Sequence, residues 1–290
     1  MKKTTQLRKL LNSGKTLIAP GVFDGLSARL VQRAEFAAAY ASGGAISRSA
    51  GYPDLGLLSF TEVVARLAHI VEAVTIPVIA DADNGYGNAL NVQRTVKQFE
   101  RIGVAALHLE DQQFPKRCGH LNDKKLISTQ EMVQKIHAAR AALTDADFII
   151  IARTDAIAVE GFDQAIARAK AYVTAGADVV FVEAPQSIEQ IEAIAQQISQ
   201  PKLINMFYGG KTPLLPMERL QQLGYQIVII PSDLQRAAIH AMQETLAVIQ
   251  RDGDSKAIAD RLATFNERED IIGTNDYLAR DAQISKNAGS

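Results

Sequence analysis

Eight short apolar runs alternate with segments of helical spacing, and this alternation limits the folds open to the chain. They read TLIAPGVF (16–23), FAAAYASG (36–43), PVIAD (77–81), AALHLE (105–110), FIIIARTD (148–155), DVVFVE (178–183), KLINM (202–206) and QIVIIP (226–231). Short runs of β-branched and small apolar residues suit parallel strands buried on both faces. Between them, stretches such as 164–174 and 188–198 carry apolar residues at helical spacing. Asp24 is placed to cap a helix over GLSARLVQRA. IGV (102–104), AGA (175–177) and LGY (223–225) repeat one device, a glycine just past a helix that supplies the left-handed turn before a strand. Parallel strands joined by right-handed crossovers close on themselves at eight, so an α/β (β/α)8 barrel is expected. A doubly wound open sheet is the competing arrangement.

Length and charge set further bounds. A chain of 290 residues suits one barrel domain over 1–290, with 251–290 as a helical extension that has no place in the ring. That extension either covers a barrel end or reaches a neighbouring subunit. Net charge is −1 with both signs spread along the chain, which argues against a nucleic-acid or membrane surface. A single cysteine excludes an internal disulfide framework and fits a reducing, cytoplasmic setting. The first residues, MKKTTQLRKLLNSGKT, are basic but have no apolar core, so a short helix is expected rather than a signal peptide. No window reaches the ~20 apolar residues of a membrane span.

In such a barrel, chemistry gathers at the strand C-termini. Those positions hold Tyr40, Ser42, Gly43 and Gly44, then Asp81 and Asp83, then Glu110 and Asp111. Arg153, Asp155, Glu183, Asn205 and Pro231 complete the rim. A buried strand has no internal reason to end in acids, so Asp81, Asp83, Glu110 and Asp111 are read as aimed at a cation. Oxygen donors without clustered His or Cys suit Mg²⁺ or Mn²⁺. Arg153 offers a planar fork for a substrate carboxylate. Gly43 and Gly44 allow backbone N–H groups close to a carboxylate or oxyanion. Cys118 stands among Lys116, Arg117, Gly119 and His120, a basic setting that suits proton transfer or nucleophilic attack. His108 and His137 are read as structural.

The motifs ASGG, DADNGYG, LHLEDQ, KRCGH, ARTDA, EAP and NMFYGGKTP, in this order over about residues 16–250, resemble the isocitrate lyase/phosphoenolpyruvate mutase superfamily, near its 2-methylisocitrate and 2,3-dimethylmalate lyases. The resemblance implies a tetramer with a terminal helix swapped between subunits. It implies Mg²⁺ held by Asp81, with Asp83 and Glu110 acting through water and Asp54 in the metal network. Ser42, Gly43, Gly44, Gly119, Arg153, Glu183, Asn205, Thr212 and Arg236 are the implied substrate-binding positions. Cys118 becomes the general acid on a closing loop, with His120 beside it and Tyr40 as a base. Mutases and oxaloacetate-type decarboxylases characteristically lack that cysteine, so the resemblance favours a carbon–carbon lyase acting on a small carboxylate.

Similarity also bears on the substrate. In lyases of the methylisocitrate type, an arginine in a Thr-Arg-Asn-Glu pattern meets the third carboxylate. Here the segment reads TFNE, with Phe265 at that position. The expected substrate is therefore an alkyl-substituted malate such as 2,3-dimethylmalate. Arg236 and Arg268 could replace the lost cation, which keeps 2-methylisocitrate as an alternative. Oxaloacetate hydrolysis or decarboxylation is disfavoured by Pro231, where the hydrolases resemble one another in carrying Ser. A phosphonomutase acting on phosphoenolpyruvate or carboxyphosphonoenolpyruvate, or a non-catalytic barrel, completes the alternatives.

Overall fold

A computed structural model describes residues 1–119, 121 and 123–288. The chain divides into two compact units, Met1–Leu234 and Gln235–Ser290. In the first, eight parallel strands pair in sequence order and close into a barrel: β1 (Leu17–Val22), β2 (Ala39–Ala41), β3 (Val78–Asp81), β4 (Ala106–Glu110), β5 (Ile149–Thr154), β6 (Val179–Val182), β7 (Lys202–Asn205) and β8 (Tyr225–Ile230). Closure comes from β1 on β8, with Leu17 opposite Ile227 and Pro20 opposite Ile230. The (β/α)8 expectation holds.

The helices are α1 (Lys3–Leu11), α2 (Gly25–Arg33), α3 (Gly43–Ser49), α4 (Phe60–Ala73), α5 (Ala89–Arg101), α6 (Thr129–Ala142), α7 (Phe162–Thr174), α8 (Ile188–Gln197), α9 (Met217–Gln222), α10 (Asp233–Asp252), α11 (Phe265–Ile272) and α12 (Thr274–Ala288). Local chemistry explains several boundaries. Asp24 accepts from the Ser27 N–H in a capping box that starts α2. Gly103, Gly176 and Gly224 follow α5, α7 and α9 with φ of 88°, 105° and 71°, values that favour glycine. Helix α4 buries Val63, Leu67, Ile70 and Val71 on one face, a spacing that turns a single stripe toward the barrel.

Two layers of apolar packing result. Strand residues pointing outward, among them Ala80, Leu107, Ile150 and Val180, meet the helices. Inward residues, including Ala19, Ile79, Ile149, Phe181 and Ile227, fill the barrel. Leu7 and Leu11 of α1 join the interior cluster and plug the end where the strands begin. A fully buried Leu, Ile, Val or Phe among them contributes roughly 1.5–3 kcal/mol. The other end is left for polar groups.

The second unit continues α10 and adds a 3-10 segment (Lys256–Arg261), α11 and α12. Thr264 and Glu267 form a capping box at α11, and Gly273 ends it in the left-handed region. Along α10, Ile239, Met242, Leu246 and Ile249 form an exposed stripe at three- and four-residue spacing. No described helix is long and apolar enough to cross a membrane.

Candidate active site

Tyr40 of β2, Asp81 of β3, His108 and Glu110 of β4 and Arg153 of β5 lie at neighbouring register positions, Asp81 opposite His108 and Glu110 opposite Arg153. Adjacent strands therefore deliver these side chains to one end of the barrel.

Asp81 is the central acceptor. Its Oδ1 accepts from the Asp83 N–H at 3.0 Å and lies 3.2 Å from His108 Nε2. Its Oδ2 accepts from the Gly43 N–H at 3.2 Å and from the Tyr40 hydroxyl at 3.4 Å. Burial pushes the Asp81 carboxyl up, but His108, Lys116 and Arg153 outweigh burial and hold it below the usual range. Tyr40 Oη also lies 2.6 Å from His108 Nε2. Burial first, then Asp81 and Glu183, push the Tyr40 phenol well up, which favours a neutral donor.

The two glycines of ASGG admit acids at close range. A Cβ on Gly43 would come 2.7 Å from Asp81 Oδ2, and one on Gly44 would come 2.8 Å from Asp54 Oδ2. The carboxylates that these glycines let in are thus the protein's own. Ser42 caps α3 by accepting from the Ala45 N–H.

Lys116, buried, pairs with Asp54 and lies 2.7 Å from Asp83. Burial would lower its pKa, but Asp83, Asp54 and Asp81 reverse that and raise it well above the ordinary lysine value. Asp83 sits at φ 46°, a strained conformation for a non-glycine residue. Burial and its acidic neighbours push the Asp83 carboxyl up, and burial, Asp155 and Asp83 push Glu110 well up despite Arg153. Lys116, expected as a cation beside the thiol, is committed to these acids.

Arg153 forms the second cluster. Its Nε and Nη2 donate to both oxygens of Asp155 at 3.0 and 3.1 Å, and Nη1 lies 3.4 Å from Glu110. Glu183 is 3.7 Å away, and the guanidinium covers the Phe181 ring at 5.2 Å. Gly119 packs directly here, since a Cβ on it would come 2.4 Å from Arg153 Nη2 and 2.9 Å from Glu183 Cγ. The segment carrying Cys118 is therefore docked against the arginine. Its base is closed by the Gln112–Leu126 bridge, and the Gln112 side chain exchanges two 2.9 Å hydrogen bonds with the Arg117 backbone. Cys118, the single cysteine, is half-buried and forms no disulfide.

Asp111 departs from its expected place. It binds Thr154 Oγ1, the Asp155 N–H and Tyr172 Oη at 2.7, 3.0 and 2.8 Å, with Arg168 at 3.4 Å. Successive strand residues face opposite sides, so Glu110 pointing in sends Asp111 into the helix layer. Asp155 stands on the rim as expected, and His108 and Lys124 join the site although nothing local in the sequence singles them out. For His108 the signal available was parity, because it shares a face with Glu110. Asn205 ends β7, and its Oδ1, like Thr212 Oγ1, is buried without a hydrogen-bond partner among the described residues. Arg236 belongs to the second unit, and His120 lies outside the described residues.

These residues fit a divalent cation. Six carboxylates, Asp54, Asp81, Asp83, Glu110, Asp155 and Glu183, share the cations Lys116, Lys124 and Arg153. Glu110 Oε1 is buried without a hydrogen-bond partner among the described residues. Among those residues no three His, Cys, Asp or Glu side chains form a complete cage. Mg²⁺ keeps several waters and needs only one or two direct carboxylates.

A sequence model described as phosphoenolpyruvate phosphomutase matches residues 7–250. The chain is 45% identical to 2-methylisocitrate lyase of Aeropyrum pernix, over 97% of this chain and 91% of the relative. It is 43% identical to 2,3-dimethylmalate lyase of Eubacterium barkeri, over 94% and 95%. A crystal structure of 2,3-dimethylmalate lyase superposes with a TM-score of 0.93 at 37% identity, covering 98% of this chain and 96% of that one. With the barrel, the acids on its rim and the docked cysteine loop already established, the chain belongs to the phosphoenolpyruvate mutase/isocitrate lyase superfamily.

Proposed function

We propose that this carbon–carbon lyase cleaves the C2–C3 bond of a 2-hydroxy dicarboxylate, 2,3-dimethylmalate or a similar alkylmalate, to a 2-oxo acid such as pyruvate plus a monocarboxylate. The observation that carries this reading is Gly119 packed on Arg153 and Glu183, which brings the Cys118 segment onto the substrate-binding arginine.

Asp81 would hold Mg²⁺ (or Mn²⁺), with Asp83, Glu110 and Asp54 around it. Bound there, the ion supplies Lewis acidity that lowers the pKa of the substrate hydroxyl. Arg153, whose Nε and Nη2 are held by Asp155, receives a carboxylate on its outer Nη1/Nη2 edge. Asn205 and Thr212, whose buried oxygens lack partners among the described residues, offer substrate contacts. Tyr40, kept neutral, serves better as a donor to a developing oxyanion than as the base first considered. As a carboxylate of the acid cluster takes the hydroxyl proton, the alkoxide becomes the 2-oxo group and the C2–C3 electron pair passes into the carboxylate of the leaving fragment. Cys118 then gives that fragment a proton at C3. The docked loop excludes water during this interval.

Product identification by NMR tests the reaction, with Mg²⁺ and 2,3-dimethylmalate, 2-methylmalate, 2-methylisocitrate, isocitrate, oxaloacetate and phosphonopyruvate as the panel. Pyruvate plus a monocarboxylate is expected from the substituted malates. Turnover of oxaloacetate or phosphonopyruvate alone would overturn the proposal.

The 45% identity to a 2-methylisocitrate lyase favours that tricarboxylate as a second reading. Substitution at Phe265 separates the two, because the methylisocitrate-type lyases that this chain resembles carry an arginine at that position; the ring is exposed, with the Arg268 guanidinium 4.8 Å from its centroid. Phe265→Arg is expected to raise the 2-methylisocitrate/dimethylmalate ratio of kcat/KM by roughly tenfold, about 1.4 kcal/mol. An unchanged ratio would remove the basis for preferring an alkylmalate. For assembly, we propose a homotetramer with C-terminal helices exchanged between subunits, which would cover the apolar stripe of α10. A monomer in light scattering would refute it.

A further inference from the structure

Lys124 has no part in the chemistry above, yet its side chain is almost fully buried, at 1% exposed. A buried ammonium must be paired to be tolerated. Its Nζ donates to the Gly119 carbonyl and, at 2.9 Å, to Asp155 Oδ1. Asp155 is the carboxylate that grips Arg153 through two hydrogen bonds. Asp155 is itself fixed from behind, its backbone N–H bound by Asp111. One ammonium thus joins the loop that carries Cys118 to the anchor of the substrate-binding arginine.

We propose that Lys124 is a positioning residue, a latch through which the docked loop and the orientation of Arg153 are held by the same ion pair. The other loop cation on these acids, Lys116, reaches Asp54 and Asp83. The two lysines therefore fasten the loop on either side of Cys118, one to the cation-binding acids and one to the arginine cluster. Removing Lys124 frees the Gly119 side while the pairing of Lys116 and the base at Gln112 and Leu126 persist. This inference rests on the lyase reading only for the role of the thiol, not for the geometry.

The test uses alkylation, because the chain has one cysteine and intact-mass spectrometry reads it alone. In the full-length protein, Lys124→Met is expected to raise the rate of Cys118 modification by iodoacetamide at least tenfold. Lys124→Arg, which keeps the charge, should return it to within about threefold of the parent. Melting temperatures and the rate at low urea distinguish local release from global unfolding, which would steepen the urea dependence. Should Lys124→Met not accumulate, Lys124→Gln serves in its place. On the preferred substrate kcat should fall more than KM rises. Equal alkylation rates in parent and Lys124→Met would overturn the latch. Alkylation needs no turnover, so failure of the whole substrate panel would overturn the reaction proposal and leave this one standing.

Discussion

Both ends of the barrel hold cations, partly exposed where the strands begin and buried where they end, and the two sets are used differently. Where the strands begin, Lys3 of α1 donates to the carbonyls of Val71 and Val74 at 2.6 and 2.7 Å. Arg8 donates to the carbonyls of Ala146, Asp147 and Phe148 and pairs with Asp178 at 2.9 Å. These charges close off backbone groups that would otherwise lack partners. Where the strands end, Lys116, Lys124 and Arg153 meet carboxylates that outnumber them. A satisfied charge on a carbonyl is a structural fastening. A set of acids short of positive charge is poised for a ligand.

Substitutions at the two ends should therefore fail in different ways. Cys118→Ser is expected to lower kcat by about 10²–10⁴-fold, the usual worth of general acid catalysis, with little change in melting. An active serine variant would break the reading of the upper end as a proton-transfer site. Arg153→Lys should reduce kcat/KM by roughly 10–100-fold, as one charge-assisted, two-pronged contact is lost. Retention of parental kcat/KM would show that the fork has no substrate duty. Mg²⁺ should raise the melting temperature in a concentration-dependent way, by up to about 2.7 kcal/mol of stability at 100 times its Kd. Asp81→Asn should abolish that shift, and an equal shift in the variant would place the ion elsewhere. The smallest effect on activity belongs to the lower end. Arg8→Met should cost about 1–2 kcal/mol in urea denaturation while kcat changes less than about twofold. A kcat loss larger than its stability loss would erase the distinction between the ends.

Much of this architecture was legible beforehand because it depends on local patterns. Strand runs, the Asp24 cap and the glycines at 103, 176 and 224 each act within a few residues. Of the acids on the rim, Asp81, Asp83 and Glu110 stand together as expected, whereas parity on β4 turned Asp111 away. His108 was missed because a histidine within an apolar strand run gives no sign of its partners, which lie on β2 and β3. Lys124, and its link to the expected Asp155, was out of reach for a related reason. Their pairing spans 31 residues of sequence and exists only once loop and strand have met. Helix α3 has no forerunner among the segments of helical spacing, since Gly43 and Gly44 at its start weaken any helical signal.

Gly43, Gly44 and Gly119 also set a rule for comparing sequences. Each stands where one added carbon would fall within 3 Å of a carboxylate or guanidinium atom. The mouth of this barrel therefore has a tolerance smaller than a methyl group at three separate points. A chain with the same acids but alanine at any of these points must hold those acids in a different arrangement. Among related sequences, the glycines are a sharper marker of this geometry than the acids, because an acid can be retained while it moves.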